Sequence, residues 1–273
     1  MKTLLLILLS IVYINADLLT QKIENIIGKQ KYLIHQKLIE NEIENKKLVF
    51  TTNENSINYP KLLEILKSSG LLNTEFEIPK ENILSFELKG NRYKSLKNLK
   101  QVLISLGYSY FIPFKVEDNE TYIVKIRFKS KHGLDPLLFV NELSKIDANI
   151  VNINKISDEN WEYSIDFTNA KTFDTIKITS NEKIKLKKPL KPYLLEIDQG
   201  NQLVVLSHTL NHWYPKISFF DKNLELINSV DKTRVYKGVK IDVPRGTKYI
   251  QVDDAYSLLN IKRGLTIIVK EEI

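Results

Sequence analysis

The spacing of apolar residues along this chain changes three times, and each change predicts a different kind of structure. At the N-terminus the apolar residues are nearly continuous: LLLILLSIVYI (4–14) follows Met1-Lys2-Thr3. From Asp17 to about position 47, Ile23, Ile26, Ile27, Leu33, Ile34, Leu38 and Ile39 recur near helical spacing among glutamates and lysines, with Gly28 marking a kink or a helix–helix turn. Ser56-Ile57-Asn58-Tyr59-Pro60 opens a second helix expected over 61–69, with Gly70 just past its last turn. Beyond position 83 the period shortens to two. ILSFELKG, YSYFIPFKV, TYIVKIRFKS, NIVNINKI and WEYSIDF read as strands, and SLKNLKQVLISLG and LDPLLFVNELSKI between them as helices. Asp135 is placed to cap the second of these helices, with Pro136 at its first position.

From about position 176 onward every segment alternates. EKIKLKK, PYLLEID, QLVVLSH, PKISFFD, LELINSV, GVKIDV, TKYIQVD and LTIIVKE are separated by turn residues such as Asp221-Lys222-Asn223 and Pro244-Arg245-Gly246. There is also an internal repeat, KVEDNETYIVKIRF (115–128) over KISDENWEYSIDF (155–167), each preceded by a helix. The pattern predicts an α+β multi-domain protein: a signal peptide over 1–16, a helical segment over 17–75, a ferredoxin-like βαββαβ middle domain over 83–168 and a C-terminal all-β sandwich over 176–273. The linker is expected at 168–174.

The N-terminal apolar run is shorter than the roughly 20 residues that span a bilayer. With Lys2 before it and Asn15-Ala16-Asp17 after it, the run predicts a secretory signal cleaved after Ala16, a periplasmic address and no stable membrane insertion of the mature chain. An uncleaved anchor is the alternative. The chain contains no cysteine, so disulfides, thiolate nucleophiles and zinc–thiolate sites are excluded together. Its formal charge of +7 comes almost wholly from lysine, the arginines being Arg92, Arg127, Arg234, Arg245 and Arg263, and this balance argues against a nucleic-acid reader. Nothing matches GxGxxG or GxxxxGK[ST], and no cofactor is expected.

Two stretches carry candidate chemistry. In Asn211-His212-Trp213-Tyr214, an amide and an imidazole flank two aromatic rings, a combination that stacks on a sugar face and bonds its hydroxyls. The competing reading has Trp213 and Tyr214 plugging one end of the sandwich, and it is favoured because large aromatics are mostly buried. Lys183, Lys185, Lys187, Lys188 and Lys191 form the densest basic run. Alternating lysines before Pro189 and Pro192 protect an edge strand, and a contact with an anionic polymer is the sharper alternative. His208 and His212 lack the glutamate of a zincin helix, and no metal site is expected. Asp221, Asp253 and Asp254 read as turn residues rather than a hydrolytic pair.

LKKPLKPYLLEID, NHWYPKISFFDKNLELI, VPRGTKYIQVDD and QKIENIIGKQKY resemble segments of a group of bacterial secreted proteins with no established activity. That resemblance implies location and architecture and assigns no catalytic residue. The strand-turn-strand FFDKNLELI followed by GTKYIQV also resembles the β-sandwiches of carbohydrate-binding and pre-peptidase modules. The expected function is a non-catalytic interaction or scaffold protein that binds another envelope protein. Binding of cell-wall glycan through the aromatic loop is the alternative.

Overall fold

A computed structural model describes residues 18–52, 56–118 and 122–271. The expected signal peptide, 1–16, lies outside the described residues. Among those described, no helix is long and apolar enough to cross a membrane. The chain is mixed α+β and divides into two compact units between Lys171 and Thr172.

In the first unit the N-terminal helical text is broken more often than its periodicity suggests. Helix α1 (18–27) ends at Gly28, whose φ of 86° carries the chain into α2 (Lys29–Ile34). His35 (φ −108°, ψ 19°) breaks it again before α3 (Gln36–Glu42). A short α4 (Lys47–Phe50) precedes α5 (Tyr59–Ser68), which starts two residues earlier than expected. The start is set by Asn58, whose side chain accepts the Lys61 N–H at 3.3 Å, and the stop by Gly70 at φ 69°. Buried Leu19, Ile23, Ile26, Leu62, Leu63 and Leu66 are the apolar stripe of these helices.

Next come β1 (Glu75–Lys89), α6 (Arg92–Ser105), β2 (Ile112–Asp118), β3 (Tyr122–His132), α7 (Pro136–Ser144), β4 (Asn149–Lys155) and β5 (Asn160–Asp166). Asp135 caps α7, its Oδ1 accepting the N–H groups of Leu137 and Leu138 at 2.9 and 3.2 Å. The sheet order is β2-β3-β1-β5-β4, with β5 parallel to β1 and the other pairs antiparallel. A four-stranded βαββαβ sheet would set β4 against β1. Here the β4–β5 hairpin puts β5 in that place and moves β4 to the edge. Its turn is held by the Ser157 hydroxyl, which accepts the N–H groups of Glu159 and Asn160 at 3.3 and 3.1 Å.

Period-2 alternation sorts the sheet's faces. Leu84, Phe86, Leu88, Val124, Ile126, Trp161, Tyr163 and Ile165 are buried with Leu99 and Val102 of α6 and Phe139 and Leu143 of α7. Burial of each such side chain contributes about 1.5–3 kcal/mol. Phe86, Phe139 and Tyr163 meet with ring centroids 5.2–5.7 Å apart. On the other face, Arg127, Lys129 and Glu162 are in solvent.

The second unit is β throughout apart from one short 3-10 turn. The eight expected strands are present as β7 (Lys183–Lys185), β8 (Tyr193–Ile197), β9 (Gln202–Ser207), β10 (Pro215–Phe220), β11 (Leu226–Asp231), β12 (Gly238–Asp242), β13 (Tyr249–Asp254) and β14 (Leu265–Lys270). A further strand, β6 (Ile176–Ile178), pairs in parallel with β8. They form a five-stranded sheet, β11-β10-β13-β8-β6, and a four-stranded sheet, β12-β9-β14-β7. The inward positions of the two sheets share one core: Leu195, Ile217, Phe219 and Val252 from the first, Leu203, Val205, Ile267 and Val269 from the second. Between β10 and β11, Asp221 Oδ1 accepts the N–H groups of Asn223 and Glu225, both at 2.8 Å. That confirms the turn chemistry read for Asp221.

Candidate functional site

The loop from His208 to Tyr214 carries the chain from β9 into β10, and its side chains face different environments. Trp213 is fully buried (0% exposed), and its Nε1–H donates to the Asp253 carbonyl at 2.8 Å. Asn211 is buried as well. Its Nδ2 donates to the Gly264 carbonyl at 2.9 Å, and its Oδ1 accepts the Arg263 N–H at 3.3 Å. Tyr214 is half-buried and meets the exposed Tyr256 edge-on at 4.8 Å, while His212 is exposed and its backbone N–H donates to the Asn260 carbonyl at 3.0 Å. Trp213 and Asn211 are therefore turned into the unit, while His212 and Tyr214 keep exposed surface. The contact reading of Trp213 and Asn211 is corrected: the inner faces of the sheets leave a space that the indole fills, and the amide is used up in holding the 263–264 turn.

Asp254 fixes the other side of this loop. Its Oδ2 accepts the Tyr214 N–H at 2.8 Å, and its Oδ1 accepts from the Tyr256 N–H, the Ser257 N–H and Asn260 Nδ2, each at 2.9 Å. The neighbouring Asp253 carboxyl is pushed up, chiefly by burial, with its Oδ1 accepting the Asp254 N–H at 2.8 Å. Both carboxylates serve the loop's own backbone, in line with the turn reading.

The basic run is split by the fold. Lys183 and Lys185 lie on β7, at the edge of the four-stranded sheet, and are exposed. Beyond β7, the Lys187 carbonyl accepts the Tyr193 hydroxyl, and Lys191 pairs with Asp174. Lys187 and Lys188 are exposed and do not line the cavity described next.

That cavity, about 360 Å³, opens over the first residues of β14. Lys183 and Lys185 line it from β7, Leu206, Ser207 and His208 from β9 and the residue after it, and Arg263, Gly264, Leu265 and Thr266 along β14 and the turn before it. Register sets Lys185, Thr266 and Leu206 side by side across three strands. Arg263 and Thr266 had no signal in the sequence, where 262–264 reads only as a turn. His208, weighed there for a metal, instead has its Nδ1 accepting the Leu210 N–H at 3.1 Å.

No protein-family model matches the chain, and the search of curated proteins returned no match. Among solved structures, a β-glucosidase from Paenibacillus barengoltzii is 14% identical, with a TM-score of 0.17, over 34% of this chain and 11% of its own. A score this low carries no argument about fold or function.

Proposed function

We propose that the chain is a non-catalytic envelope protein that binds another protein through the β2 edge of its first unit. We read that unit as a ferredoxin-like module widened by one hairpin, and the second as a β-sandwich. The observation that carries the proposal is the contrast between the two edges of the first sheet. At the β4 edge, the Tyr59 hydroxyl donates to the Val151 carbonyl at 3.4 Å and Lys22 Nζ donates to Asn152 Oδ1 at 2.7 Å, so the N-terminal helices occupy it. The β2 edge instead presents Tyr110 (85% exposed), Ile112 (46%), Phe114 (46%) and Val116 (55%) to solvent.

An apolar row on an edge strand is a liability unless a partner covers it. Pro113 withholds one ladder donor, and the register slips between Pro113 and Lys115, so strand pairing with another copy is discouraged while the side chains stay available. Arg127 stands over the Phe114 ring at 5.8 Å, giving the patch a cationic rim. In the glycan alternative the buried indole of Trp213 takes no part, which leaves His212 and Tyr214 to carry it.

Crosslinking mass spectrometry in intact cells tests the proposal. Wild type is expected to yield a reproducible protein partner, and Phe114→Asp, a change at an exposed position that leaves the core intact, to lose it. A monomeric wild type without crosslinks, or crosslinks unchanged in the variant, would remove the β2 edge from the account.

A further inference from the structure

The second unit holds a cluster of cations whose arrangement the protein-binding proposal does not use. Several lysines of the chain are matched with carboxylates, as Lys67 is with Asp135, Lys80 with Glu159, Lys89 with Asp166 and Lys248 with Asp198, and others stand singly in solvent; what sets this cluster apart is that its cations line one recess. In the cavity over β14, Lys183, Lys185 and Arg263 have no side-chain hydrogen bond or ion pair among the described residues, and no carboxylate is among the residues lining it. Three permanent cations around one recess repel one another, and an anion seated there relieves that repulsion.

Neutral donors add direction. A backbone N–H can only donate, so the bond from Leu210 makes Nδ1 of neutral His208 the lone-pair nitrogen and puts the ring hydrogen on Nε2. Thr266 contributes a hydroxyl beside Lys185. The recess is rigidly built. Gly264 approaches so closely that an added Cβ would lie 1.9 Å from the Leu186 carbonyl oxygen, and the buried Asn211 amide clamps both Arg263 and Gly264.

We infer that this recess binds an oxyanion, carboxylate or phosphate, carried on a ligand about the size of one sugar ring. Its volume lies near the lower end of small-ligand sites. The guanidinium and the two ammonium groups match the oxyanion, and the His208 N–H and the Thr266 hydroxyl match a polyhydroxylated ring. The site belongs to the second unit and is independent of the β2 edge.

Titration of the full chain by amide NMR tests the inference, with glucuronate, glucose 1-phosphate, inorganic phosphate and neutral glucose as separate probes. Shifts in 183–185 and 263–266 with either sugar anion, and none with glucose, are expected; which anion binds tighter separates a uronate source from a phosphate source. Lys183→Gln/Lys185→Gln is expected to weaken binding at least tenfold, whereas Lys187→Gln/Lys188→Gln, outside the recess, leaves it within about twofold. Arg263→Lys, which keeps the charge and loses the fork, is expected to weaken it severalfold. Equal loss from both lysine pairs would reduce the site to general surface charge and overturn the inference. So would binding of inorganic phosphate as tight as that of the sugar anions, or the absence of any shift with all four probes.

Discussion

Replacing Trp213 with alanine is expected to damage the second unit's core rather than a binding surface. The side chain is wholly buried among residues of both sheets, with Leu195, Val205, Ile217 and Ile267 in the same cluster. Truncating a buried tryptophan of this kind costs about 3–5 kcal/mol, because transfer energy and cavity formation add. The lost Nε1–H bond to the Asp253 carbonyl contributes about 1 kcal/mol more. Set against the 5–15 kcal/mol that holds a typical domain together, the variant should be close to its limit. Trp161, in the first unit, is the other tryptophan and does not report on this core, so fluorescence of the variant is the wrong probe. Hydrogen exchange by mass spectrometry on peptides covering β10 and β13 is the right one. At about 1.4 kcal/mol per factor of ten, exchange there should accelerate by about a hundredfold or more. Trp213→Phe, which keeps most of the volume and loses the N–H, should accelerate it far less. Unchanged exchange in Trp213→Ala, within about twofold, would show that the indole is not the plug and would restore it as a contact residue.

Other positions give equally definite expectations. Asp254→Asn places an amide N–H₂ among donors that now share a carboxylate, and should destabilise the 254–260 loop by at least about 2 kcal/mol, read as faster exchange of its amides. Tyr163→Phe removes a buried hydroxyl that has no partner among the described residues, so urea unfolding should show equal or greater stability; a loss above about 1 kcal/mol would mean that the hydroxyl is satisfied. Burial pushes the Tyr193 hydroxyl up to about 12, above the ordinary value of about 10. The folded state therefore holds this proton more tightly, and the contribution is intact below about pH 10 and lost as the pH rises towards 12. Urea midpoints across that window should fall more steeply for wild type than for Tyr193→Phe.

Much of the fold was legible because it is local. The Asp135-Pro136 start of α7, the stop at Gly70 and the alternation of Val124, Ile126 and Phe128 against Arg127 and Lys129 are fixed by neighbours a few residues apart. The position of β5 was not legible. Choosing β5 rather than β4 as the partner of β1 is decided between segments some 75 residues apart, and either strand has an acceptable pattern. The three-residue β6 is too short to show a period.

The candidate site divides in the same way. A tryptophan before an alternating strand suits both a plug and a platform, and only the closing of two sheets decides between them. The basic run could be seen in the sequence. Its division could not, because Lys183 and Lys185 meet Arg263 and Thr266 only through the β7–β14 pairing, while Lys191 turns to Asp174.

A photo-crosslinking amino acid placed at position 114 asks whether the first unit meets a protein partner at the proposed β2 edge. With the same residue placed instead at position 256, on the exposed Tyr256 of the other unit, one discrete protein adduct is expected from 114 and none of that mass from 256. No adduct from 114, or the same adducts from both positions, would contradict it.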